Sequence, residues 1–317
     1  MKNYLLSAIC AFLFSGVFTA LLLPILKKLK AGQNVLVYVK EHKKKAGTPT
    51  MGGLGFILAI LLSSVVFIGK PNRVSILTLV VTLAYMLVGF LDDYLKCKHK
   101  ENLGLRAWQK FAFQFTIAIF VSIFCYRAHL TKQYLPFFGN SIELGVWSIP
   151  FTTLVFLATV NAVNLTDGLD GLAAGTCTPF FLIVAVLILL EKGDLSQQII
   201  CCCTVGALLA YLLFNIPPAK VFMGDTGSLA LGGLAACVCS FTGNAFYLAV
   251  VGLPFVLSVL SVIFQVIYYK ASVGKRIFLM APLHHHFQKK GHSESRIAYA
   301  YTLTSALLGA ICIVFLL

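Results

Sequence analysis

The chain has 317 residues, of which 59% are hydrophobic and only 11% charged, with a mean hydropathy of +0.90. A soluble domain carries about a quarter charged residues, so the composition excludes a soluble globular enzyme. It predicts an all-α integral membrane protein, a single polytopic domain over residues 1–317. The formal charge of +14 would suit nucleic acid, but Lys and Arg gather in short loops between apolar runs, so no nucleic-acid partner is expected.

A helix needs about 20 residues to cross a hydrocarbon core. The apolar runs predict about ten transmembrane helices, near 4–26, 52–69, 75–95, 108–126, 148–163, 171–190, 198–214, 227–242, 246–269 and 297–317. The first ends in Pro24, Lys27, Lys28 and Lys30, a basic anchor at the water boundary, and is not a cleaved signal. Pro254 interrupts the ninth and predicts a kink or split there. Ten cysteines form no CxxC pair and lie mostly inside apolar runs, so they read as small hydrophobes.

Basic residues fix the orientation, because short cytoplasmic loops are enriched in Lys and Arg. The odd-numbered connections hold 19 of the 25. Those connections are therefore expected in the cytoplasm and both termini outside. On this reading Asp92, Asp93, Asp167, Asp170 and Asp225 all fall on the cytoplasmic side, with only Asp194, Glu143 and Glu191 among the acids outside. Carboxylates at membrane depth are expensive and are kept mainly for ions, protons or catalysis. Their segregation predicts an active-site cleft on the cytoplasmic face with a divalent metal.

Four motifs carry this chemistry. Gly89-Phe90-Leu91-Asp92-Asp93-Tyr94 ends the third span; adjacent carboxylates cannot share one helix face, so they are free to take two different jobs. A solvated helix end balanced by Lys96 and Lys98 would also explain the pair alone. In Asn164-Leu165-Thr166-Asp167-Gly168-Leu169-Asp170-Gly171, the two aspartates are spaced to point the same way on a helical turn. The start of the sixth span would offer N–H groups to phosphate, although Asn, Asp and Gly are also ordinary turn residues. Asp225 precedes the eighth span, where an N-cap or a metal ligand sits. Pro282-Leu283-His284-His285-His286-Phe287 invites a zinc reading, but adjacent residues cannot converge on one tetrahedral ion, and imidazoles are better placed on a diphosphate or sugar. Among the cations, Lys45 beside Gly47-Thr48-Pro49-Thr50 and Lys110 inside the fourth span stand out as ligand contacts.

Together these motifs resemble the phospho-N-acetylmuramoyl-pentapeptide transferase family, within the polyprenyl-phosphate N-acetylhexosamine-1-phosphate transferases. The likeness runs from Gly47-Thr48-Pro49-Thr50-Met51-Gly52-Gly53 to about Arg296. The Asp92-Asp93 pair and the Asn164–Gly171 loop match the superfamily, and the His run points to the muramoyl branch. The resemblance implies transfer of phospho-N-acetylmuramoyl-pentapeptide from its UDP donor to undecaprenyl phosphate with Mg²⁺, releasing UMP, at a bacterial cell membrane. It implies Asp225 on the metal, Asp92 as the carboxylate handling the nucleophile, and Asp93, Asp167, Lys96, His284 and His285 in the reaction centre or beside it. Phe222, Asn215, Asn164, Gly168, Leu169 and Asp170 match the family's uridine pocket; Lys45, Thr50, Lys110, Gln265 and His286 match further substrate contacts. Two positions depart from the family's usual pattern: Gln288 stands where an acid is usual, and His292 where an aromatic often follows Lys-Gly. Small and apolar outer faces permit a homodimer. Two rivals are the sister enzyme that loads N-acetylglucosamine phosphate on the same lipid and an ion-coupled transporter. Transporters place coupling acids near the midplane, whereas these acids stand at helix ends.

Overall fold

The computed structural model describes residues 2–29, 47–99, 104–272 and 274–317. Its helices are α1 (Lys2–Lys28), α2 (Gly53–Ile68), α3 (Arg73–His99), α4 (Ala107–Arg127), α5 (Ser148–Thr166), α6 (Leu172–Leu190), α7 (Leu195–Asn215), α8 (Gly224–Phe241), α9 (Ala245–Val251), α10 (Leu253–Ala271), α11 (Leu283–Lys289) and α12 (Glu294–Leu316). Eight are long and apolar enough to cross a membrane: α1, α3, α4, α5, α6, α7, α10 and α12. The shorter α2 (16 residues) and α8 (18 residues) complete the ten predicted segments. The protein is an all-α membrane protein, as the sequence predicts.

The ninth segment is broken as Pro254 predicts, with α9 ending at Val251 and α10 restarting at Leu253. Pro254 lies in the first turn of α10, where its missing N–H has no helical partner to lose. One element was not expected: a small antiparallel hairpin, β1 (Lys132–Tyr134) with β2 (Ser141–Glu143), fills the connection after α4. Strands this short leave no periodicity to read. The hairpin docks through the Tyr134 N–H on Gly243 O (2.8 Å) and the Ala245 N–H on Gln133 Oε1 (3.2 Å).

The packing places the site. Lipid tails are as apolar as leucine, so helices associate in a membrane by close packing of small residues. The α8 sequence Gly224-Asp-Thr-Gly-Ser-Leu-Ala-Leu-Gly-Gly-Leu-Ala-Ala-Cys-Val-Cys-Ser-Phe is built for that, and every residue from Thr226 to Phe241 is buried. It packs against α2, α3 and α5 and touches α6. The first turn of α8, which carries Asp225, therefore stands in the middle of one end of the bundle. By contrast α1 and α12 pack mainly on one side, against α2 and α7 and against α6, and keep large apolar side chains such as Leu13, Leu21, Leu307 and Val314 exposed.

Candidate active site

The α3–α8 crossing builds the centre. Gly89 has no side chain where the two helices meet; a Cβ there would lie 2.0 Å from the Asp225 carbonyl oxygen. A second close contact joins α2 to α8, where a Cβ on Gly53 would lie 2.3 Å from the Gly227 backbone. These glycines let Asp225 sit against the end of α3.

Asp92 and Asp93 are 2% and 3% exposed and do different things. Asp93 reaches across to α8. It accepts from the Thr226 N–H (2.9 Å), the Thr226 hydroxyl (2.7 Å) and the Asp225 N–H (3.2 Å). The first N–H groups of a helix lack intrahelical partners and are usually satisfied by a cap on the same chain segment. Here the N-cap residue Met223 supplies no side-chain bond, and the cap is Asp93 from another helix. Asp92 instead accepts from the Leu105 N–H (2.8 Å) and pairs with Lys96 Nζ (2.6 Å).

Asp225 carries the densest set of partners. Its Oδ2 meets Lys110 Nζ at 2.7 Å and Lys96 Nζ at 3.0 Å, and its Oδ1 accepts from Asn164 Nδ2 at 2.7 Å. Asn164 also donates to Ser228 Oγ (2.8 Å), which holds the amide in place. Carboxylate oxygens of Asp92, Asp93 and Asp225 lie within 4.8 Å of one another. This all-oxygen donor set fits a hard cation such as Mg²⁺. Because Asp93 spends both oxygens on α8, Asp92 and Asp225 are the better placed to hold an ion, with two ammonium groups already drawn to that concentration of negative charge.

The remaining predicted residues fall in two groups. Thr50 and Phe222 stand beside the start of α8, and Asp167 and Gly168 lie in the turn between α5 and α6. Burial, and then the charges of Asp225, Asp93 and Asp170, push the Asp167 carboxyl well above the usual carboxylate range. Thr50 Oγ1 lies 2.6 Å from where a Cβ on Gly224 would stand, and Phe222 is half-buried with its N–H on Pro49 O (2.8 Å). The second group is occupied in bracing. Asn215 accepts from the Gly171 N–H (3.1 Å) and donates to Val221 O (2.9 Å); Asp170 accepts from the Ala219 N–H (2.9 Å); Leu169 packs on Leu172, Ile297 and Tyr301. Gln265 accepts from the N–H groups of Ile277 and Phe278 and ties their loop to α10. Lys45 lies outside the described residues.

One local expectation is corrected. Residues 167–170 form a turn between α5 and α6, so Asp167 and Asp170 do not share a helix face. The His run lies on the short helix α11 between α10 and α12, with His284 fully buried and His285 and His286 half-buried. Burial, and then the neighbouring His285, hold the His284 ring well below its ordinary range, so it is neutral. His284 Nε2 and His285 Nε2 lie 2.4 and 3.1 Å from where a Cβ on Gly168 would stand, which brings α11 to the α5–α6 turn. Sequence reasoning missed Thr226, Ser228, Gly53 and Gly89. The signal for the last two was present as glycines in apolar helices, a pattern that marks close approach in membranes.

Comparison with known proteins gives the family of the chain. Residues 75–243 match the model of glycosyl transferase family 4, and residues 45–57 match the phospho-N-acetylmuramoyl-pentapeptide-transferase signature 1. A phospho-N-acetylmuramoyl-pentapeptide-transferase from Caldanaerobacter subterraneus subsp. tengcongensis is 44% identical over 90% of each chain. Proteins of the same name from Clostridium perfringens strain 13 and Clostridium kluyveri strain ATCC 8527 are each 40% identical, the first over 95% of both chains and the second over 97% of this chain and 98% of its own. With an aspartate centre on α3 and α8 and relatives this similar along nearly their whole length, the chain belongs to the phospho-N-acetylmuramoyl-pentapeptide-transferase family.

Proposed function

We propose that the protein transfers phospho-N-acetylmuramoyl-pentapeptide from its UDP donor to undecaprenyl phosphate, releasing UMP, at the cytoplasmic face of a bacterial membrane. The observation that carries this reading is the convergence of Asp92, Asp93 and Asp225 with Lys96 and Lys110 at one end of the bundle, in a chain with these relatives. The muramoyl signature at residues 45–57 favours this donor over UDP-N-acetylglucosamine.

The chemistry brings two phosphorylated substrates together, so the site must offset repulsion between anions. Lys96 and Lys110 supply fixed positive charge beside Asp225, and Asn164 holds that carboxylate still. Asp225 and Asp92 would hold Mg²⁺, which supplies charge neutralisation for the donor diphosphate and the departing UMP. Asp92 keeps its carboxylate beside Lys96 and receives the lipid phosphate as the attacking group. Asp93 acts through Asp225: its three bonds to the start of α8 set where that carboxylate stands. The concentration of Lys and Arg in the connections on that side supports a cytoplasmic site, by the bias of short cytoplasmic loops toward basic residues.

The test is a turnover assay on purified protein with undecaprenyl phosphate, Mg²⁺ and either UDP-N-acetylmuramoyl-pentapeptide or UDP-N-acetylglucosamine. The reading predicts UMP and a diphospholipid product from the first donor. Product from the second donor alone would overturn it.

A further inference from the structure

The chain leaves the span α10 at Ala271 and then turns back along it. Exposed Tyr268, Tyr269 and Lys270 mark the exit, an aromatic and basic edge of the kind that sits at the membrane–water boundary. Past that edge the loop runs down the helix. The N–H groups of Ile277 (3.1 Å) and Phe278 (3.0 Å) donate to Gln265 Oε1, and Gln265 Nε2 donates to Phe278 O (3.3 Å). Gln265 stands six residues before the end of α10, about 9 Å back along the axis at 1.5 Å per residue. Farther on, the Leu283 N–H donates to Ser261 Oγ (2.9 Å), one turn deeper.

Lipid reaches this depth, because Phe264, Val266 and Ile267 are exposed around Gln265. An amide among lipid-facing side chains is costly unless it is paired, and Gln265 spends its amide on the loop. Non-helical backbone near the acyl chains must likewise find its partners within the protein. Gln265 serves Ile277 and Phe278, and His286 Nδ1 accepts from the Leu279 N–H (3.1 Å). With the backbone pinned in this way the side chains divide. Phe278 turns in against the His286 ring, with centroids 5.7 Å apart, while Ile277 and Leu279 are left 50% and 55% exposed. Lys275 and Arg276 come just before them, exposed, and neither forms an ion pair among the described residues.

The geometry points to an interfacial anchor. The segment Lys275–Leu279 lies in the headgroup layer of the leaflet where α10 ends, with Ile277 and Leu279 against the upper acyl chains and Lys275 and Arg276 on the phosphates of anionic phospholipid. Apolar side chains at this boundary hold a segment about 5–10 Å into the membrane surface. Each cation near an anionic surface adds about fivefold to the attraction. The inference concerns lipid contact and stands apart from the transferase reading.

Tryptophan fluorescence of the full-length protein, in phospholipid vesicles without polyprenyl phosphate, tests it. Trp108→Phe and Trp147→Phe remove the native signal, and Leu279→Trp then reports the loop alone. Phosphatidylcholine brominated high on its acyl chains should cut that emission at least about twofold, and aqueous iodide should barely change it. Quenching by iodide with none by the brominated lipid overturns the anchor, and so does quenching by neither, which would mean that protein covers the loop. Should Leu279→Trp fail to fold, Ile277→Trp reads the same depth. Brominated phosphatidylglycerol, at about a tenth of the lipid, should quench at least about twofold more than brominated phosphatidylcholine at the same fraction. Lys275→Gln with Arg276→Gln should abolish that preference. Equal quenching by the two lipids, or a preference that survives loss of both cations, overturns the anionic contact.

Discussion

Gly89→Ala isolates the role of helix approach in building the site. The added Cβ would lie 2.0 Å from the Asp225 carbonyl oxygen, 2.4 Å from its carbonyl carbon and 2.6 Å from the Thr226 nitrogen. All three are backbone atoms, so no flexible side chain can swing away. Ordinary contact begins near 3.4 Å, so α3 and α8 must separate by about 1.4 Å at this point. Overpacking of this kind costs roughly 1–3 kcal/mol, and the better helix propensity of alanine offsets up to ~1 kcal/mol of it. The net loss of stability is therefore at most about 3 kcal/mol. The loss of activity is about 100-fold, because a displacement of about 1 Å in a reacting constellation costs on the order of 10²-fold in rate. Asp225 would move away from Asp92 while keeping every side chain of the centre. Gly16→Ala is the control: its Cβ would stand 4.0 Å from the Ala210 Cβ, an ordinary contact, and should be silent. UMP release and thermal denaturation, measured together, should show Gly89→Ala folded with about one-hundredth of wild-type turnover. Turnover within about twofold of wild type would refute the claim that the crossing at Gly89 sets the position of Asp225.

Two further predictions follow from the same geometry. Asp92→Asn keeps shape but removes the charge paired with Lys96 at 2.6 Å; turnover should fall about 10²- to 10³-fold with the protein still folded, and near-wild-type UMP release would remove Asp92 from the reaction. At the other end of the bundle, burial raises the Glu191 carboxyl from 4.5 to about 7, against the opposing pull of the Asn244 bond and Lys132. Between those values the folded protein holds a proton that the unfolded chain has lost. Stability therefore falls as pH rises through that window, by up to about 3 kcal/mol. Glu191→Gln should flatten the dependence of melting temperature between pH 5 and 8, and an unchanged slope would place its origin elsewhere.

Much of the architecture was legible because membrane spans are written in composition. The break in the ninth span needed only Pro254, and the gathering of acids at helix ends only hydropathy and charge. The adjacency of Asp92 and Asp93 also told that they would diverge, and they do. What they reach was not legible. Asp93 caps a helix that starts more than a hundred residues later, and no local pattern encodes that partner. Asp167 and Asp170 looked like a helical pair because their spacing fits one, but Asn215 and Ala219 hold the segment as a turn. The helix that carries the His run is only seven residues long, too short for a periodicity, and it shows only with the packing of α10 and α12 around it. Gly89 and Gly53 stood in plain view, yet their use depends on which helix lies opposite.

The central claim is that carboxylates from α3 and α8 form one cation site beside two lysines. Its most direct test is a titration of metal-free protein with Mn²⁺, followed by electron paramagnetic resonance, on wild type and Asp225→Asn. The account predicts one bound ion per wild-type chain, displaced by Mg²⁺, and loss of that site in Asp225→Asn. Undiminished Mn²⁺ binding in Asp225→Asn would contradict it.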